Sequence, residues 1–246
     1  MLVGMFDRQD GIVNQWTRYR LTASRALSRL IAATIFPPRC CLCGFAGASA
    51  DLDLCSVCHE DLPWERAADG ALVALRYEHP VDDMIRQLKY HGVIAHSRVL
   101  GVLLAEIARQ RASPLPAMLV PVPLHSRRWR ERGFNQADSV ARHAGRMLGI
   151  PVMRHAVQRL RDTPSQTALD VAGRHRNVRG AFALRNSRQQ SRLVRAGHVA
   201  LVDDVITTGS TLSELRAVLL AAGVRRVDLW AVARALPARG TPATAR

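Results

Sequence analysis

One segment constrains the fold of this chain more than any other. Val199-Ala-Leu-Val-Asp203-Asp204-Val-Ile-Thr207-Thr208-Gly209-Ser210-Thr211 passes from an apolar run, through two adjacent carboxylates, into a short hydroxyl-rich loop with one glycine. An uninterrupted apolar run such as Val199 to Val202 suits a strand buried on both faces, hence a parallel sheet between helices. Leu212 to Ala222 reads as the helix that follows. Thr211 and Glu214 stand in the T-x-x-E spacing of a capping box, and Gly223 stands where a C-terminal cap belongs. Backbone N–H groups of such a loop converge on an anion, and the helix N-terminus adds partial positive charge. The hydroxyls of Thr207, Thr208, Ser210 and Thr211 add donors. The loop is therefore expected to hold a phosphate monoester. Asp203 and Asp204 would repel phosphate, so they serve another group. Ribose hydroxyls suit Asp oxygens, and a Mg2+ bridging sugar and phosphate would reconcile the charges.

The rest of the chain agrees with an α/β reading. Met118 to Val122 is a further apolar run of strand length, Val227 to Val232 reads as a third strand, and Asn135 to Leu148 is a helix stopped by Gly149. Upstream, Val81 to Tyr90 and Ser97 to Arg111 read as helices, the second with Leu100, Leu103, Leu104 and Ile107 on one face. Strand–helix–strand alternation predicts a mainly parallel, Rossmann-like sheet flanked by helices. The polar stretch from Arg161 to Gln190 has little periodicity and reads as a loop. Trp16 to Phe36 reads as a basic leader helix, and the end of the chain as a disordered tail.

Five cysteines fall within 19 residues. Cys40-x2-Cys43 and Cys55-x2-Cys58 are separated by 11 residues, the pattern of two facing knuckles that complete a tetrahedral sulfur set around Zn2+. Four thiolates leave no place for substrate, so the metal is structural. Cys41, inside the first knuckle, competes as a ligand. Clustered, odd-numbered cysteines argue against a disulfide framework. With no signal peptide and no apolar run of membrane-spanning length, the expected location is the cytoplasm.

The formal net charge is +15, with 35 basic and 20 acidic residues. A surplus of this size points to anionic partners. Arg127, Arg128, Arg130 and Arg132 crowd one predicted loop around Trp129, and guanidinium groups pair bidentately with phosphate oxygens. Lys89 is the sole lysine. A chain that otherwise writes Arg keeps here a compact ammonium, which suits a phosphate.

The Val199–Thr211 segment resembles the signature of type I phosphoribosyltransferases, which bind 5-phosphoribosyl 1-pyrophosphate (PRPP). Pro121-Val-Pro123-Leu, Arg132-Gly-Phe-Asn-Gln136, Asp162-Thr-Pro-Ser-Gln166 and Arg176-Asn-Val-Arg-Gly-Ala-Phe182, behind a four-cysteine knuckle, resemble the ComF family and its GntX-type relatives. Leu88-Lys-Tyr-His-Gly92 also resembles a recurrent segment of that family. The resemblance, over roughly residues 36–236, implies a type I phosphoribosyltransferase fold preceded by a small zinc ribbon. It implies that Thr207, Thr208, Gly209, Ser210 and Thr211 hold the 5-phosphate, and that Asp203 and Asp204 contact the ribose as the catalytic pair. By position, Arg127, Arg128 and Arg132 would meet the pyrophosphate with Mg2+. Thr163, Gln166, Arg174 and Asn177 would lie in a hood that closes over the site. The expected organisation is a basic helix (1–36), the zinc ribbon (37–64), the phosphoribosyltransferase-like domain (65–236) and the tail (237–246). The family is linked to DNA uptake, so the expected role lies in natural transformation or nucleotide-linked metabolism. The rival reading is a non-catalytic module that touches DNA and competence or recombination proteins, sensing a metabolite in its pocket.

Overall fold

The computed structural model describes residues 39–45, 52–66, 70–161 and 179–235. The leader helix, the tail and the hood residues Thr163, Gln166, Arg174 and Asn177 lie outside the described residues. The chain divides into two compact units, Met1–Cys58 and His59–Arg246. The division falls a few residues before the boundary expected at 64, so Leu62 to Trp64 belong to the second unit. Among the described residues no helix is long and apolar enough to cross a membrane.

In the first unit, the chain folds back at Cys40–Gly44, where the Gly44 N–H donates to the Cys40 carbonyl (2.8 Å). The Cys41 N–H donates to the Asp53 carbonyl (2.9 Å), tying the two cysteine pairs together. Cys58 is carried by the short helix α1 (Ser56–Glu60).

The second unit is built on four parallel strands. These are β1 (Leu72–Arg76), β2 (Met118–Pro121), β5 (His198–Ile206) and β6 (Arg226–Arg234), in the order β1-β6-β5-β2. Strands β3 (Val157–Arg159) and β4 (Phe182–Leu184) form a separate antiparallel ribbon. The helices between them are α2 (Val81–Tyr90), α3 (Ala95–Arg111), α4 (Ser126–Arg132), α5 (Gln136–Leu148), α6 (Ser187–Ala196) and α7 (Ser210–Ala221). Strand β5 is central, paired to β2 on one side and β6 on the other. That accounts for its apolar run: Val199 to Val202 are each fully buried.

Helices cover both faces of the sheet. Leu212, Leu215 and Leu219 of α7 and Leu193 of α6 share one core with Val199, Leu201, Val227 and Leu229. On the other face α3 and α5 pack together closely enough to demand glycine: a Cβ on Gly101 would stand 2.6 Å from His143 Cβ. The predicted face of α3 is confirmed, since Leu100, Leu103, Leu104 and Ile107 are all buried.

Three local expectations are corrected. Arg127 to Arg132 do not lie in a loop: they form α4, started by the His125 ring, which accepts from the Arg127 N–H, and stopped by Gly133. Thr211 and Glu214 do not form a capping box. Helix α7 starts at Gly209, whose φ of 75° is left-handed, with no side-chain cap, and the Glu214 carboxylate accepts from the Gly180 N–H (2.6 Å). The stretch from 161 to 190 is not all loop. It contains β4 and the start of α6, whose cap is the Asn186 side chain accepting from the Gln189 N–H (2.9 Å).

Candidate functional site

The four parallel strands end on the same edge, and the loops that leave them line a cleft of about 470 Å³. This is where ligands of open α/β sheets bind. Strand lengths open it. Strand β2 stops at Pro121, opposite Val202, whereas β5 continues along β6 to Ile206. The Val122 N–H makes one more bond to β5, donating to the Val202 carbonyl (2.9 Å), before the chain turns away at Pro123. Asp203 and Asp204 therefore project past the neighbouring strand into the cleft, with their backbone still held by β6.

The two carboxylates are not equivalent. The Lys89 ammonium, on the last turn of α2, lies 2.9 Å from Asp204 Oδ2. Helix α2 fixes it there by burying Val81, Met84, Ile85 and Leu88 at helical spacing. Burial opposes ionisation of Asp204, but the Lys89 charge and hydrogen bond overcome it and hold the carboxyl below its ordinary range. Burial also works against the Lys89 charge, and Asp204 outweighs that too, so the ammonium is held above its ordinary range. Among the described residues Asp203 has no ion pair of this kind. Burial first, and then the neighbouring Asp204 charge, push it up to about 7. In the ligand-free cleft Lys89 is the counter-ion of Asp204.

The hydroxyl loop encloses a second, much smaller cavity of about 20 Å³ beside Asp203. Thr207, Gly209, Ser210 and Thr211 line it, at the N-terminus of the 12-residue helix α7. Gly209 supplies the left-handed turn that aims the backbone of the next residues inward. Thr208 does not line this cavity, because its hydroxyl is 2.7 Å from the Ser210 hydroxyl.

Of the arginine group, Arg128 and Arg132 line the large cleft. Arg127 does not; its Nε lies 3.3 Å from Glu131 on the same helix. Trp129 is 53% exposed and also outside the lining. The Arg132 guanidinium instead stacks over the Tyr90 ring, 5.2 Å from its centroid. Asn135 ties α5 to the end of β2: its side chain donates to the Val122 carbonyl (2.9 Å) and accepts from the Ala137 N–H (3.0 Å).

Six polar or aromatic lining residues escaped the reading of the sequence as site residues: Tyr77, Tyr90, Glu131, Asn135, Gln136 and Arg159. Gln136 is 1% exposed, and its amide nitrogen has no hydrogen-bond acceptor among the described residues. It stood inside a motif that had been noticed, so a buried amide beside a cleft was the available signal. Arg159 lies in β3, which periodicity did not reveal.

In the first unit, the sulfurs of Cys40, Cys43, Cys55 and Cys58 all lie within 4.8 Å of one another. Cys43 and Cys55 sulfurs are 3.8 Å apart, the edge expected of a tetrahedron with metal–sulfur bonds of about 2.3 Å. Cys41 is not one of the four. Burial, then the charges of Cys40 and Asp53, push its thiol up to about 11. Desolvation opposes ionisation of Cys40 as well, but backbone N–H groups of Cys43, Cys55 and Leu42 overcome it and bring that thiol down to about 6. The donor set is suited to a structural metal.

Fold and site together define an α/β protein with a parallel sheet flanked by helices, an acidic pair and anion-type loop on its C-terminal edge, and a separate four-cysteine module. No family model matches the chain. Over 198 residues it is 35% identical to competence protein F of Haemophilus influenzae, spanning 78% of this chain and 84% of that one. It is 33% identical over 201 residues to the DNA utilization protein YhgH of Escherichia coli K12, spanning 80% and 84%. The chain belongs to the family of competence protein F, the ComF family. Among solved structures, adenine phosphoribosyltransferase from Leishmania tarentolae is 12% identical, over 69% of this chain and 94% of that one, with a TM-score of 0.37. A purine phosphoribosyltransferase from Pyrococcus horikoshii is 16% identical, over 62% and 94%, with a TM-score of 0.31.

Proposed function

We propose that the cleft binds PRPP, and that the protein is a phosphoribosyltransferase-like member of its family acting in DNA uptake and use. The observation that carries this reading is the joining of two different recognition elements at one strand end. A buried carboxylate pair, suited to a sugar diol, adjoins a small cavity lined by Thr207, Gly209, Ser210 and Thr211, suited to one phosphate. In this reading the loop holds the 5-phosphate and the acidic pair holds the ribose hydroxyls. Arg128 and Arg132 face the pyrophosphate across the cleft, where Gln136 offers a further buried donor. Mg2+ bound to the pyrophosphate would neutralise charge on the leaving group. A nucleophile attacking C1 of the sugar breaks the C1–O bond and releases pyrophosphate. Preorganised charge from the chain's own residues would stabilise that transition state.

The four-cysteine module is read as a zinc ribbon. The DNA-related role follows the names of the relatives, and DNA is the macromolecular partner in this reading. A ligand that binds only the folded state stabilises it by RT ln(1 + [L]/Kd), about 2.7 kcal/mol at a hundredfold excess over Kd. Saturating PRPP with Mg2+ should therefore raise the melting temperature by several degrees, and ribose 5-phosphate by less. An unchanged melting temperature at millimolar PRPP would overturn the reading.

A further inference from the structure

Much of the basic surplus lies away from the cleft. Residues 154–195 carry ten Arg against Asp162 and Asp170. No residue of α6, which carries three of them, lines the cleft. Helix α6 has a different character from every other described helix of the domain. It contains Arg188, Arg192 and Arg195, no acidic residue and one buried side chain, Leu193. The spacing i, i+4, i+7 places the three guanidinium groups on one side of the helix. All three are exposed, and Ser187 and Ser191, also exposed, share that side. Arg185 stands exposed just before the cap, and the Arg225 guanidinium lies against Gly197 just after the helix. From Arg179 to Val202 the chain has no carboxylate.

Elsewhere the same domain pairs many of its exposed arginines. Arg86 meets Asp82 and Asp83, Arg226 meets Asp228, Arg127 meets Glu131 and Arg76 meets Glu78. The three α6 arginines have no ion pair or side-chain hydrogen bond with any described residue. Like charges one turn apart destabilise a helix. Three like charges on one helix face, unanswered by any described residue, make a surface suited to an anionic partner.

We infer that this face of α6 binds the phosphodiester backbone of a nucleic acid, as a surface separate from the cleft. The inference rests on the DNA-handling part of the proposed function. The seven steps from Arg188 to Arg195 rise about 10 Å, the axial length over which one strand of a duplex presents three phosphates. The arginine side of the helix carries no aromatic residue that would stack a base, so recognition is by backbone charge and indifferent to sequence. An anionic membrane fits less well, because the arginines border serines and not an apolar face. Val194, the exposed apolar residue of α6, turns toward Gly223 of the domain instead.

The test uses the full chain and fluorescence anisotropy of labelled single-stranded and duplex oligonucleotides over about 50–200 mM salt. The variant R188Q/R192Q/R195Q should lower the salt slope by about 2 for a single strand or about 3 for a duplex. Its affinity at low salt should fall at least about tenfold, while the melting shift with PRPP is retained. The variant R142Q/R146Q removes two exposed charges from α5 and should leave the slope as in the parent. An unchanged slope in the triple variant would overturn the surface while leaving DNA binding itself standing. Loss in both variants in proportion to charge removed would reduce it to bulk attraction and also overturn it. No binding of either strand form by the parent chain would remove the surface and the DNA-handling reading together, but not PRPP binding. Binding to anionic vesicles in place of oligonucleotides would identify a membrane surface and overturn the proposal.

Discussion

Replacing Lys89 by methionine keeps the length of the side chain and removes its charge. In the structure this ammonium lies 2.9 Å from Asp204 Oδ2, and the side chains of the pair are only 19% and 13% exposed. Removal leaves two adjacent carboxylates in the same pocket with no counter-ion. Breaking a buried pair by deleting one partner costs about 3–5 kcal/mol, most of it the stranded charge. Urea unfolding followed by the fluorescence of Trp230, which is 1% exposed in β6, reads the loss. The pH dependence has a definite sign. Without Lys89, burial and Asp203 raise the Asp204 carboxyl above its unfolded value, so the folded state binds the extra proton. Stability then falls as pH rises above about 4, and the loss is larger at pH 8 than at pH 5. The double variant K89M/D204N removes the stranded charge together with its partner and should recover more than half of the loss, a coupling of about 2 kcal/mol or more. A loss under about 1 kcal/mol for K89M, or a double variant no better than K89M, would refute the reasoning.

Other consequences can be checked on the same protein. Asp203 is pushed up to about 7; its folded value exceeds the unfolded one, so its contribution to stability is present at low pH and lost between about pH 4 and 7. Asp203→Asn should therefore stabilise the ligand-free protein at pH 8 by about 1–3 kcal/mol, by roughly a third as much at pH 5, and weaken PRPP binding; a destabilised D203N at pH 8 would contradict the assignment. Gly209→Ala meets a φ of 75°, so it should cost about 1–2 kcal/mol and reduce the melting shift with PRPP; chemical melts with and without ligand read both. Metal analysis after mild purification should give about one equivalent of zinc, kept in Cys41→Ser and lost in Cys40→Ser. Less than about half an equivalent in the parent would count against the ribbon.

The main features of the cleft were legible because they are local. Strand β5 declared itself by apolar continuity, the loop by its hydroxyls and glycine, and α5 by Asn135 and Gly149. Lys89 was singled out for being the only one of its kind, but its pairing with Asp204 was not legible, since no sequence rule says that the end of α2 meets the end of β5 across the sheet edge. The three residues of β3 are too short for periodicity to register, which hid Arg159. The polar run to Gln190 looked structureless because α6 buries only Leu193, so it has no apolar stripe to find. Arg127 to Arg132 looked like a loop for the same reason: α4 buries nothing. Glu214 had the spacing of a capping residue but met Gly180, a contact set by tertiary packing.

The central claim is that one strand end holds both a phosphate and its sugar. Calorimetric titration of PRPP with Mg2+ into the parent chain and into D203N/D204N tests it most directly. The account predicts one PRPP per chain in the parent, and at least about tenfold weaker binding, roughly 1.4 kcal/mol, when both carboxylates are neutralised. No heat in the parent, or equal affinity in the two proteins, would contradict it.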